Sequence, residues 1–168
     1  LLDSVVGGEH TMDDEQEKAR FEARLELAHL KMEMLAYDEA EDLLWQARNQ
    51  YSAVLHGETT KEEISLWIAE CRFGQGFVQD AIDRGEEILR KLQSMDTPNR
   101  TMLAKVHQTL GWYYFHRNDV PIAMTHLKVA MEFAPSLHKP LVDEGMKAEK
   151  DGDYKRAVEC YFDCIVYE

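Results

Sequence analysis

A wholly α-helical fold, built from antiparallel helix pairs stacked one on the next, is what this 168-residue sequence predicts. Three observations lead there. Apolar residues recur three and four positions apart over most of the chain, the spacing that lays them on one face of a helix. Only four prolines and nine glycines occur, and most fall between the periodic stretches, where they stop helices. No stretch alternates strictly between apolar and polar side chains, so no strand is expected.

The first helix is expected from Asp13 to Leu35, with Phe21, Leu25, Ala28, Met32 and Leu35 on one stripe. A second runs from about Tyr37 to Leu55, where Ala40, Leu43, Leu44, Ala47, Tyr51, Val54 and Leu55 keep the rhythm. Thr60 and Glu63 spell a capping box, in which a hydroxyl and a carboxylate satisfy the first backbone donors of a helix. The third helix, with Ile64, Trp67, Ile68 and Cys71, therefore opens there and stops at Gly74 and Gly76. Val78, Ala81, Ile82, Gly85, Ile88, Leu89 and Leu92 mark a fourth. Thr97-Pro98 offers a cap followed by proline at the first position of a fifth helix, which reaches about Arg117. Asp119 and Pro121 restart the chain in the same manner, the sixth helix ends near Pro135, and two more flank Asp151-Gly152-Asp153. Eight helices with short links predict a single domain over residues 1–168.

Acidic residues number 32 against 19 basic ones, a formal charge of -13. Such a field repels phosphates and argues against nucleic acid as a partner, while favouring basic peptides. Cys71, Cys160 and Cys164 are an odd number without framework spacing, which fits a reducing, intracellular (cytoplasmic) setting. No run approaches the roughly 18 apolar residues needed to span a bilayer, and the N-terminus lacks a signal-peptide layout. Opening on Leu1-Leu2, the chain reads as a fragment of something longer. Cys160 and Cys164 lie four apart on one helix, but no His or Cys pair completes a zinc set, so both are expected in the core and no metal or other cofactor is implied. The seven histidines are scattered, with no His-Glu-x-x-His. Gly7-Gly8 lacks the continuation of a phosphate loop, and no catalytic spacing appears, so the expected role is not enzymatic.

The decisive feature is internal repetition. Leu110-Gly111-x-x-Tyr114 is followed by Ala123, Leu127, Ala130 and Pro135. One constant offset then carries Gly111 to Gly145, Ala123 to Ala157, Leu127 to Tyr161 and Ala130 to Cys164. Earlier, Tyr37-x-x-Ala40 with Leu44 and Ala47, and Gly76-x-Val78-x-x-Ala81 with Ile88, repeat the second half of the motif, and the steps from Ala40 to Ala81 and from Ala81 to Ala123 are longer. The chain thus resembles the tetratricopeptide repeat family from Phe21 onward. Its longer steps, about two extra helical turns per pair, are similar to the repeats of kinesin light chains. The signature Trp of the first helix is absent, Glu144 stands at an apolar position, and Gly85 replaces a bulky residue. The resemblance implies a right-handed superhelical solenoid with repeats over about 13–55, 60–94, 98–134 and 138–168. It also implies that first helices line a concave groove.

Mapped by register, the groove residues are His29, Met32, Glu33, Glu70, Phe73, Gln108, Trp112, Phe115, His116, Met146 and Glu149. Aromatic, Met and acidic side chains of this kind suit a peptide or helix with apolar anchors beside Lys or Arg. The structural alternative is that Trp112 and Phe115 belong to the core. Leu66, Glu70, Thr109 and Asp143 occupy the positions where related cochaperones place basic and amide clamps, which disfavours an acidic chaperone tail. A protein-interaction scaffold is the expected role, and the sensor module of a larger signalling ATPase or transcription regulator is the alternative. The last helix, with Tyr161, Phe162, Ile165 and Val166, is expected to lack cover and to invite homo-oligomerisation or a further repeat.

Overall fold

The computed structural model describes residues 2–51 and 59–168, with side chains described from Asp13 onward. Among them eight α-helices follow in order: α1 (Leu2–Glu33), α2 (Tyr37–Gln50), α3 (Lys61–Gly74), α4 (Val78–Gln93), α5 (Arg100–His116), α6 (Val120–Phe133), α7 (Lys139–Lys150) and α8 (Tyr154–Asp163). The fold is all-α, as predicted. Several boundaries move. α1 begins at Leu2 rather than Asp13, and α2 closes at Gln50, so the expected reach to Val54 and Leu55 lies outside the described residues. Thr60 Oγ1 accepts from Glu63 N–H at 3.2 Å and opens α3, which is the hydroxyl half of the expected capping box. α5, however, is capped by Asn99, whose Oδ1 accepts from Met102 N–H at 3.1 Å, and not by Thr97. Asparagine serves because its short side chain reaches the third residue's donor as well as a hydroxyl does.

One turn recurs through the chain. Leu35 (φ 61°), Gly76 (φ 92°), Asn118 (φ 68°) and Gly152 (φ 79°) adopt the left-handed conformation just after α1, α3, α5 and α7. At three of these, the next residue's N–H reaches back five positions: Ala36 to Lys31 O (2.8 Å), Asp119 to Tyr114 O (2.9 Å) and Asp153 to Ala148 O (2.8 Å). Such a closure satisfies carbonyls that the helix end would otherwise strand. Leu35 was expected on the buried stripe of the first helix but occupies this turn and is exposed. The four left-handed residues keep step with Ala40, Ala81, Ala123 and Ala157, which follow them at a constant distance and are each fully buried.

The chain forms two compact units, Leu1–Gly76 and Phe77–Glu168. In the first, α2 packs against both α1 and α3. Phe21, Ala28, Ala40, Leu44, Ile64 and Ile68 fill its core. In the second, α4 packs on α5, α5 on α6 and α7 on α8, while α8 also lies against α5 and α6. Met124, Leu127, Ala157, Val158 and Tyr161 form one apolar centre of this unit. Ala130, Val142, Cys164 and Ile165 form another.

Close approach is made possible by glycine. A Cβ on Gly111 would lie 2.7 Å from Leu127 Cγ and 3.2 Å from Ala123 O, and one on Gly145 would lie 2.6 Å from Tyr161 Cε1. Such separations are well inside van der Waals contact. The α5–α6 and α7–α8 pairs thus share one arrangement, in which Leu127 and Tyr161 stand at the same offset from their glycines and fill the same socket. Gly85, the departure noted in the fourth helix, receives Leu110, whose Cδ2 would sit 2.7 Å from an added Cβ.

The C-terminal end departs from expectation. Ile165 and Val166 are not helical but form β2 (Ile165–Val166), which pairs antiparallel with β1 (Ser136–Leu137), Ser136 opposite Val166 and Leu137 opposite Ile165. His138 N–H extends this ladder by donating to Cys164 O at 2.8 Å. Two-residue strands are too short for alternation to register, which is why the sequence carries no strand signal. Tyr161 and Ile165 are buried while Phe162 is half-buried and Val166 is exposed, so the apolar surface expected to stand open at this end is covered in part within the unit.

Replacing Gly111 or Gly145 by alanine is expected to lower stability by about 1–3 kcal/mol through overpacking. Urea denaturation followed by circular dichroism measures this. Gly111→Ala combined with Leu127→Ala should cost less than the sum of the two single changes, because the shorter knob vacates the space that the new methyl needs.

Candidate functional site

The residues predicted by register fall into two sets. In the first unit, His29 of α1 meets Trp67 of α3 edge-on, ring centroids 4.5 Å apart and planes at 84°. Burial pushes the His29 imidazole below its ordinary value, against the opposing pull of Glu33. Met32 is half-buried against the core, Glu33 is exposed, and Glu70 and Phe73 of α3 are half-buried.

In the second unit the predicted residues divide by role. Trp112 is half-buried and ringed by Phe162 at 4.9 Å, His116 at 4.8 Å and Phe115 at 6.3 Å between centroids. Trp112, Phe115 and Phe162 each press one side on the apolar centre of the unit. His116 is exposed beside them. Gln108, one turn before Trp112, is engaged internally: its Nε2 donates to Phe162 O at 2.6 Å, and its Oε1 accepts from Tyr167 O–H at 2.8 Å. It ties α5 to the end of α8. Met146 of α7 is exposed. Glu149 bonds Lys128 Nζ at 2.8 Å and the Tyr161 hydroxyl at 2.9 Å, and the lysine holds its carboxyl below the usual carboxylate range. The structure therefore joins Trp112, Phe115 and His116 into one aromatic edge, to which it adds Phe162, a residue the sequence reading placed at an uncovered end.

A polar cluster that sequence reasoning missed lies where α4, α5 and α6 meet. The Nδ1 atoms of His107 and His126 stand 3.0 Å apart, so one ring donates and the other accepts. His126 Nε2 is 3.6 Å from Glu86 Oε1, which also accepts from the Tyr114 hydroxyl at 2.8 Å. Tyr114 stacks on His126 at 5.3 Å and 11°, and Phe133 stacks on His107 at 6.1 Å and 14°. Arg117 also lies against Tyr114, its guanidinium 4.9 Å from the ring centroid. Burial, reinforced by His126, pushes His107 down to about 4. His126 is lowered by burial against the pull of Glu86, and Tyr114 is pushed up to about 12 by burial and the same carboxylate. Only the helical phase of His107, which follows buried Leu103 and Ala104 and precedes Leu110, hinted that it would face inward. The pairing with His126, on the next helix, has no local signature.

Among the described residues no group of three or more His, Cys, Asp and Glu side chains could hold a metal ion. Cys71, Cys160 and Cys164 are buried and free, with burial raising the Cys71 thiol to about 12 and the Cys164 thiol to about 11, so thiolate chemistry is suppressed. Among the described residues no helix is long and apolar enough to cross a membrane. No protein-family model matches the chain, and no curated protein matches it.

The histidine pair makes stability depend on pH. Unfolded histidines titrate near 6.5, and both rings titrate lower when folded. Between about 6.5 and 4 the unfolded chain therefore binds more protons, and stability present above pH 6.5 is lost as the pH falls. Urea midpoints measured from pH 8 to pH 4.5 should decline below 6.5. In His107→Gln, which keeps a donor for His126 without a titrating ring, the decline should be shallower.

Proposed function

We propose that this chain is a helical-repeat interaction module, of the kind that the tetratricopeptide resemblance implies. Its second unit would take a segment of another protein on the aromatic edge of α5 and α8. Supporting the repeat reading are the left-handed turn that returns in step with the buried alanines and the shared glycine socket of the last two pairs. A right-handed superhelix is the corresponding long-range arrangement we propose.

The observation that carries the binding reading is the incomplete burial of Trp112, Phe115 and Phe162 next to exposed His116. Large rings that could have been sealed in the core stand at its edge, each supported from behind and open in front. Such half-supported aromatics bury much apolar area on contact while losing little conformational freedom, the property that makes them binding hot spots. With a net charge of -13, the partner segment is expected to carry Lys or Arg beside its apolar anchors.

Selection from a displayed peptide library checks this. Peptides enriched on the wild-type protein should share an aromatic or aliphatic anchor flanked by basic residues, and their affinity should drop at least about tenfold on Trp112→Ala. His116→Ala, at the exposed rim of the edge beside Trp112, should weaken them less. Enriched peptides that bind a folded Trp112→Ala variant as well as wild type would remove this edge from the proposal.

A further inference from the structure

α1 is apolar on two opposite sides. Phe21, Leu25 and Ala28 are buried in the core of the first unit. On a helix turning about 100° per residue, Ala23, Leu27, Leu30 and Met34 gather nearly opposite them, at the four-three-four spacing of a coiled-coil seam. Leu27, Leu30 and Met34 are 43%, 52% and 65% exposed. Met34 follows the last residue of α1, yet its N–H donates to Leu30 O at 3.1 Å, so the seam runs unbroken to that point.

The two flanks of the seam carry opposite charge. Glu22, Glu26 and Glu33 line one side, all exposed, and among the described residues none of them has a cationic partner. Arg20, Arg24 and Lys31 line the other, where Arg24 donates to the Gln50 side chain and Lys31 lies 2.7 Å from Glu39. Two of the three cations are thus already held by α2, whereas the carboxylates are exposed and form no ion pair among the described residues.

This asymmetry selects the occupant. A second copy docked antiparallel would set acid flank against acid flank, and one docked parallel would offer mostly cations that its own α2 already engages. An anionic lipid surface would be repelled by the same carboxylates. We propose that the outer face of α1 docks an amphipathic helix of another protein, with apolar residues at a four-three rhythm and Lys or Arg along the flank that meets Glu22, Glu26 and Glu33. This surface belongs to the first unit, and the aromatic edge to the second.

The test uses two designed helical peptides with leucines at the seam positions, one with lysines along a single flank and one with glutamates in their place. Fluorescence anisotropy should give binding of the lysine peptide at least about tenfold tighter than of the glutamate peptide. Leu30→Asp, at an exposed position, should weaken the lysine peptide at least tenfold although it makes the protein more acidic. Diffuse attraction to a negatively charged chain would instead grow stronger. Replacing Glu22, Glu26 and Glu33 together by lysine should transfer the preference to the glutamate peptide, and Trp112→Ala should leave both affinities unchanged. Equal binding of the two peptides would overturn the proposal. So would a dimer in sedimentation equilibrium that dissociates on Leu30→Asp, or binding of anionic vesicles in place of the peptide.

Discussion

Side chains small enough to let helix backbones nearly touch are the constraint on which the structure rests. Gly111 against Leu127 and Ala123, and Gly145 against Tyr161, leave no space for even one methyl group. Ala40, Ala81, Ala123 and Ala157 are without exposure. Interiors packed to this density draw their stability from many short contacts, each weakened by roughly a quarter to a half when a gap of about 0.5–1 Å opens beside it. The knob differs between pairs, leucine in one and tyrosine in the other, but the socket is glycine in both. This is why Glu144, at an apolar position of the motif, is tolerated: it is exposed and bonds Arg156 across the turn, while the contact that fixes the α7–α8 pair passes through Gly145 beside it.

Once small residues occupy the crossings, larger ones have to go elsewhere. Trp112, Phe115 and Phe162 are displaced to the edge of the apolar centre, where Gln108 anchors the chain behind them. Bulky polar rings go to the junction of α4, α5 and α6, and there the cost of burying them is offset by mutual bonding: His107 to His126, Tyr114 to Glu86, and aromatic faces stacked on both sides. A buried polar cluster of this kind stabilises only while every member stays in its bonded state. For the two imidazoles that state is the neutral one.

The two ends of the chain solve the problem of an outermost helix differently. At the C-terminal end, α8 packs against α5, α6 and α7, and the short ladder of β1 and β2 holds Ile165 in one buried cluster with Ala130, Val142 and Cys164. α1 keeps a second apolar seam that stays exposed among the described residues, bordered by carboxylates on one side and on the other by cations of which two are held by α2. Exposed Leu27, Leu30 and Met34 are thus not scattered surface apolar residues but a row in helical phase.

The sequence by itself determined the class of fold, the number of described helices, the capping of α3 by Thr60 and the positions of the buried alanines. Each of these depends on residues near one another in the chain, through helical periodicity, cap chemistry and the recurrence of small side chains in phase. It started α1 at Asp13 and not at Leu2, because the polar and glycine-containing sequence before Asp13 carries no clear apolar stripe. The aromatic candidates on α5 were legible as a cluster for the same local reason, being neighbours on one helix. Tertiary structure alone decided that Phe162 joins Trp112 and that Gln108 is spent on internal bonds. It alone decided that Leu35 turns outward in a left-handed cap and that α8 lies on α5 and α6. Only there, too, does His107 find His126. These outcomes depend on how helices distant in sequence meet, and a pattern of apolar spacing states which face of a helix is buried without stating what it is buried against.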